Sequence, residues 1–279
     1  MTEIKKYNTP IDFLRENQEY IYGDYFSHYH LIRKIEEVIE QKTDIIDGYN
    51  IVDDKGSYVL CMWVTGTYFI YGSSWTSEIV AMLSEAIKLK KFKHFSFCGQ
   101  RELIIEFFKY NQITGKVFKN RFIEVCESVN SPKIESIGHI EHAHFDDLER
   151  LVQMSYDYNQ EEFFGQGSQT FNDVSSSVKA AIFDAYIYVW RVEGIITSIA
   201  QVINRHDEFA LIGSLYTKKE YRGYGYGYFL MQSLTKRLLE KQYLKCGLVS
   251  DADNFITKKI FERVGYKPIY SWVLMRKED

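Results

Sequence analysis

Residues 215–234, LYTKKEYRGYGYGYFLMQSL, concentrate the side chains with a recognisable chemistry. Arg222, Gly223, Tyr224, Gly225, Tyr226 and Gly227 lie between an apolar run of strand length, Phe209 to Thr217, and a segment where Phe229, Leu230, Leu234 and Leu238 recur at helical spacing. A glycine-rich turn that opens a helix leaves the first amides without intrahelical acceptors and lets an oxygen-rich group approach the backbone. The helix dipole and Arg222 add attraction for negative charge, so the predicted ligand is a phosphate or pyrophosphate.

Spacing separates the glycine-rich turns of this kind. A Walker loop needs Gly-Lys-Ser/Thr, whereas Tyr228 and Phe229 follow Gly227; a Rossmann turn needs a third glycine where Tyr228 or Leu230 stands. Arg222, Gly225 and Gly227 satisfy R-x-x-G-x-G, and residues 248–266, LVSDADNFITKKIFERVGY, place an Asn before a helix that ends in Gly-aromatic. With these two motifs the chain resembles the GNAT superfamily of acyl-CoA-dependent N-acyltransferases, most closely over the last 70 residues or so and more loosely from about residue 134.

The resemblance implies acetyl-CoA, or another acyl-CoA, as co-substrate and a primary amine of a small molecule or peptide as acceptor. Cofactor contacts are expected at Leu215, Tyr216 and Thr217, whose backbone would face the thioester, at Arg222, Gly223, Tyr224, Gly225, Tyr226 and Gly227, and at Asn254. The family's usual base position, eleven residues before Arg222, is Leu211, and its usual acid position, seven after Asn254, is Phe261. The catalytic residues are therefore unassigned, with Glu208, Glu193 and Tyr266 as candidates. A non-catalytic acyl-CoA-binding or interaction module is the alternative. Asp157, Glu161, Glu162 and Asp173 are placed in or beside a polar Gly- and Ser-rich loop, 159–177, that would wall the acceptor pocket.

The elements that must position this chemistry follow from apolar periodicity. Strands at 186–192, 195–203 and 209–217 precede the glycine-rich helix, and a strand at 246–249, a helix at 254–264 and a last strand through Met275 follow it. Before residue 131 a helix ends near residue 41, strands occupy 49–52, 58–64 and 68–71, and helices at 79–87 and 103–108 alternate with strands at 94–98 and 117–125. The order repeats. The expected architecture is α/β with a mixed sheet: a degenerate GNAT-like domain, or an unrelated α/β cap, over 1–130, and a GNAT domain over 131–279. The first half's strand-to-helix junction, residues 71–78, has one glycine and no Arg, so it is expected to bind no cofactor.

Composition bounds the rest. A 279-residue chain with 46% hydrophobic content builds packed cores without staples, and 22 Tyr with only 3 Pro exclude a disordered or collagenous chain. A net charge of −4 gives no global attraction to nucleic acid or anionic membrane. Cys61, Cys98, Cys126 and Cys246 form no C-x-x-C pair, and no signal peptide or membrane-length apolar run occurs, so the protein is expected in the cytoplasm with reduced thiols. His139, His142 and His144 have no accompanying Cys and are expected to hold no metal. Lys88, Lys90, Lys91 and Lys93 read as a solvated helix end.

Overall fold

The computed structural model describes residues 1–42, 47–87, 96–131, 137–163, 169–205, 208–241 and 243–278. The chain divides into two compact units, one of Met1–Ile123, Asp251–Asp253 and Ile269–Asp279, the other of Glu124–Ser250 and Asn254–Pro268. The basic run Lys88, Lys90, Lys91 and Lys93 lies outside the described residues.

In the first unit, β1 (Glu3–Tyr7) is followed by helices α1 (Pro10–Gly23) and α2 (Tyr25–Glu40). Thr9 accepts the Asp12 amide with Pro10 in the first turn, and Asp24 accepts the Ser27 amide, so each helix starts on a side-chain cap. Strands β2 (Asp47–Val52), β3 (Tyr58–Val64) and β4 (Thr67–Gly72) form an antiparallel meander. All seven residues of β3 are buried, which explains its unbroken apolar sequence. Then come α3 (Ser77–Ile87), β5 (Ser96–Gln100), α4 (Arg101–Tyr110) and β6 (Gly115–Cys126), whose last three residues belong to the second unit. Helices α3 and α4 bury Ile79, Leu83, Leu103 and Phe107 against the sheet.

The second half of the chain runs β7 (His139–His142), α5 (Leu148–Glu162), α6 (Phe171–Phe183), β8 (Ile187–Val192), β9 (Ile195–Arg205), β10 (Phe209–Thr217), α7 (Tyr226–Lys241), β11 (Lys245–Asp251), α8 (Phe255–Val264) and β12 (Lys267–Lys277), which from Ile269 on belongs to the first unit. Element for element this is the order β1 to β6. The expected loop 159–177 is replaced at both ends by helix: α5 continues through Glu162, and the Thr170–Asp173 capping box starts α6 at Phe171. The apolar stripe of α6, Val174, Val178, Ala181 and Ile182, packs with Leu151 and Met154 of α5. Strand β1 and helix α1 are further elements that periodicity alone did not show, because β1 is exposed at four of its five positions.

Strand order in the first unit is β1-β2-β3-β4-β5-β12-β6, and in the second β11-β10-β9-β8-β7. Strand β12 thus lies inside the sheet of the first unit, between β5 and β6, pairing antiparallel with β5 from Trp272↔Gln100 to Arg276↔Ser96. Val273 and Met275 enter the core beneath α3 and α4. The Trp272 indole donates to the Tyr71 hydroxyl at 2.9 Å, and Tyr270 stacks on the Tyr71 ring at 6.2 Å and 8°. All four cysteines are free and buried. Among the described residues no helix is long and apolar enough to cross a membrane.

If β12 is a structural strand of the first unit, its indole anchor carries a large share of stability. Trp272→Ala should destabilise by about 3–5 kcal/mol, and Trp272→Phe, which keeps an aromatic ring but leaves the Tyr71 hydroxyl without its donor, by about 1–3 kcal/mol. Chemical denaturation of both variants checks this; equal small losses would place Trp272 outside the core.

Candidate functional site

The glycine turn sits where β10 hands the chain to α7. Ala210 and Ile212 of the strand are buried with Leu230, Leu234 and Leu238 of the helix, which fixes the direction of α7. A 3₁₀ turn over Lys219–Tyr221 follows the strand, and Gly223 and Gly225 adopt φ of 88° and 82°. Gly225 needs its missing Cβ for this left-handed turn. The first helical bond runs from the Phe229 amide to the Gly225 carbonyl at 3.0 Å, so the amides of Tyr226, Gly227 and Tyr228 precede any intrahelical acceptor. A Cβ on Gly227 would stand 2.9 Å from Thr217 Oγ1, which shares a 2.8 Å hydrogen bond with Ser198 Oγ. The helix therefore starts as close to the strand end as a residue without a side chain allows.

Beside the turn, the two central strands part. Parallel pairing of β10 with β11 runs from Phe209↔Lys245 to Ile212↔Leu248 and stops. On its other side β10 bulges against β9, since Gly213↔Gln201 is followed by Tyr216↔Ile199, and Ser214 takes φ 53° inside the bulge. Leu215, Tyr216 and Thr217 lie beyond the last β11 pair, while Tyr216 and Thr217 remain paired with Ile199 and Ser198 of β9. Positive φ in a non-glycine residue costs about 1–3 kcal/mol, and such strain clusters at functional sites.

Arg222 is directed elsewhere than expected. Its Nε donates to the Thr217 carbonyl at 2.9 Å, its Nη2 reaches both Glu161 oxygens at 3.0 and 2.8 Å, and its guanidinium lies 5.3 Å from the Tyr216 ring centroid. Lys219 is 3.6 Å from the same carboxylate, and the Tyr216 hydroxyl donates to it at 3.4 Å. Burial, reinforced by the Glu161 charge, pushes the Tyr216 phenol up to about 12. The Arg222 side chain ties the turn to α5 and the end of β10. Glu161 owes this role to the extension of α5, a stretch that its polar sequence disguised as loop.

The other expected residues fall at different places. Asn254 caps α8, its side-chain oxygen accepting the Ile256 and Thr257 amides at 3.2 Å each. Tyr224 is exposed and Tyr226 half-buried on the turn. Tyr266 is buried, bonded to Thr235 Oγ1 at 2.8 Å, and burial raises its phenol well above the ordinary range, which removes it from proton transfer with solvent. Phe261 packs edge-on to Tyr266 in the same core. Glu208 precedes β10 at the end opposite Thr217, roughly 30 Å away along the strand at about 3.3 Å per residue. Glu193 is an exposed hairpin residue with φ 47°. His139 faces Glu141 at 3.3 Å, and the His142 ring lies 4.3 Å from that of Tyr188. Among the described residues no three His, Cys, Asp or Glu side chains converge on a metal position.

A further polar pair was not legible in the sequence. Ser250, two residues past the last β10–β11 pair, donates to the Glu124 carboxylate, and both residues are buried at 4% exposure. Nothing in the spacing of residues 126 positions apart announces this, and Glu124 reads as an ordinary strand charge.

Residues 151–266 match the model of the Acetyltransferase (GNAT) family. The C-terminal half carries a GNAT domain. Among solved structures, a GNAT-family acetyltransferase from Colwellia psychrerythraea superposes over 99% of both chains with a TM-score of 0.61 and 13% identity. A GCN5-related N-acetyltransferase from Sphaerobacter thermophilus covers 83% of this chain and 80% of its own, with a TM-score of 0.56 and 14% identity. A Drosophila protein covers 99% and 98%, with a TM-score of 0.55 and 11% identity. At these identities the similarity is one of fold, and for the first of them it extends over both units. Among curated proteins, none matches the sequence.

Burial raises the Glu124 carboxyl above its ordinary value of 4.5, outweighing the opposing pull of the Ser250 hydroxyl. A carboxyl that holds its proton more tightly when folded contributes stability that is complete below 4.5 and lost as pH rises through the raised value. Glu124→Gln should therefore match the wild type in Tm at pH 4 and exceed it at pH 7. A variant melting lower than wild type at pH 7 would show that the charged carboxylate is stabilising.

Proposed function

We propose that the second unit transfers an acetyl or short acyl group from acyl-CoA to a primary amine of a small molecule or peptide, acting in the cytoplasm. The observation that carries this reading is the conjunction of the glycine turn with the parting of β10 and β11 directly beside it. The turn fits a pyrophosphate because the left-handed Gly225 and the close seat of Gly227 on Thr217 leave free amides at the N-terminus of a sixteen-residue helix. In this reading 131–279 is the working half and 1–130 a degenerate GNAT-like half. The proposed ligands are the backbone of Leu215, Tyr216, Thr217, Gly223, Tyr224, Gly225, Tyr226 and Gly227, with Arg222 as their brace and Asn254 at the facing helix.

Acyl-CoA, when bound, supplies an activated thioester. The amides of Tyr226, Gly227 and Tyr228 hold its phosphates, and the unpaired edge of Leu215–Thr217 presents preorganised N–H groups toward the carbonyl oxygen as an amine attacks. The Ser214 bulge interrupts the β9 ladder just before these residues. The acceptor must shed a proton, and Glu208 and Glu193 are placed wrongly for it, so the proton passes to solvent or to a group brought by the substrate. Phe261 has no hydroxyl, and the departing thiolate, with an ordinary pKa near ~8.5, leaves without acid help at a cost of about 10²–10⁴-fold in rate.

That same absence of a placed acid and base favours a second reading, an acyl-CoA-binding module without turnover. Release of free thiol from acetyl-CoA over an amine panel separates the two. Under both, calorimetry should find one CoA per chain, because the first unit's β4 ends two residues past its last pair with β5 and the space beside it is filled by Tyr71, Tyr270 and Trp272. Gly225→Val should abolish the thermal shift given by acetyl-CoA while the variant remains folded by far-UV circular dichroism. An unchanged shift would end the acyl-CoA assignment.

A further inference from the structure

Tyr224 is a large aromatic side chain left in solvent at 67% exposure on a turn that the protein otherwise holds in place. Gly223 and Gly225 fix the backbone on either side of it with φ of 88° and 82°. Its ring lies parallel to that of Tyr226, at 5.7 Å between centroids and 14° between planes, so one face is covered and the other is open. The pair projects from the turn that precedes the free amides of α7, the proposed phosphate donors. An open aromatic face that close to a phosphate-binding backbone matches a ligand in which a flat base is joined to the phosphate by a sugar.

Resting on the acyl-CoA reading, we propose that Tyr224, backed by Tyr226, is the stacking platform for the purine base of the bound acyl-CoA. The purine would extend the two-ring stack as its third layer. Base–aromatic stacking is tolerant of base identity and is worth about 1–3 kcal/mol per base, so the platform adds affinity through the nucleotide end of the donor and leaves the thioester end untouched. An acceptor amine or a protein surface has no reason to prefer this position, since neither is tethered to the phosphate beside it.

The test compares two probes, CoA and 4′-phosphopantetheine, which lacks the adenosine part, by calorimetry on wild type, Tyr224→Ala and Tyr224→Phe. CoA affinity should fall about tenfold in Tyr224→Ala and be retained in Tyr224→Phe, with 4′-phosphopantetheine affinity equal in all three proteins. Wild-type CoA affinity in Tyr224→Ala, or an equal loss for both probes, would overturn the platform while leaving the acyl-CoA reading in place. Failure of the wild type to bind either probe would remove both. The exposed position predicts unchanged melting temperatures, so a loss of affinity would not reflect unfolding.

Discussion

The strand separation at Ile212 and Leu248 is the constraint on which the candidate site of the second unit depends. A sheet normally satisfies every backbone donor in its ladder, and an unpaired buried amide costs about 1–3 kcal/mol. Here the parallel ladder stops after four pairs while β10 continues for five more residues. The bulge at Ser214 and the close approach of Gly227 to Thr217 both lie beside that gap: the first interrupts the β9 ladder, the second brings the start of α7 to the end of the strand. Arg222 and Glu161 then hold the turn from the opposite side, through the Thr217 carbonyl.

The first unit shows what the same order of elements becomes without that arrangement. Its β4–β5 ladder likewise spans four pairs, Thr67↔Ser96 to Ile70↔Gly99, yet β4 ends soon after and α3 begins behind a junction with a single glycine. Aromatic rings occupy the adjoining volume, with Tyr71 fully buried between partners from β12. Packing occupies the place that the strand separation holds in the second unit, and the Tyr71 hydroxyl, costly to bury alone, finds a donor in the Trp272 indole.

Much of this was legible from residue order. Apolar runs and 3.6-residue periodicity located the strands and helices around the glycine turn, and R-x-x-G-x-G fixed the turn's place between β10 and α7. The sequence also exposed the repeat, because both halves alternate strands and helices in the same succession. What escaped has physical causes. Residues 159–162 and 171–177 are polar outside and helical because only a narrow stripe of α5 and α6 meets the core. The Arg222–Glu161 and Glu124–Ser250 pairs join residues 61 and 126 positions apart, and local pattern carries no information about such partners. Tyr266 and Glu208 offered suitable atoms, but burial of the one and the strand length beside the other decide against a catalytic place.

The placement of the last strand has a consequence for how the protein is made. Synthesis proceeds in chain order, and β5 has its neighbour β4 as soon as both have emerged, but its other neighbour, β12, emerges only after β6 to β11. Until residues 272–276 are released, β5 presents an open ladder edge, and the core over it lacks Val273 and Met275. Unpaired edges of this kind recruit foreign strands, so the nascent chain carries an aggregation hazard while β6 to β11 are being made. Loss of residues 267–277 would remove an interior strand from the unit whose other strands are synthesised first.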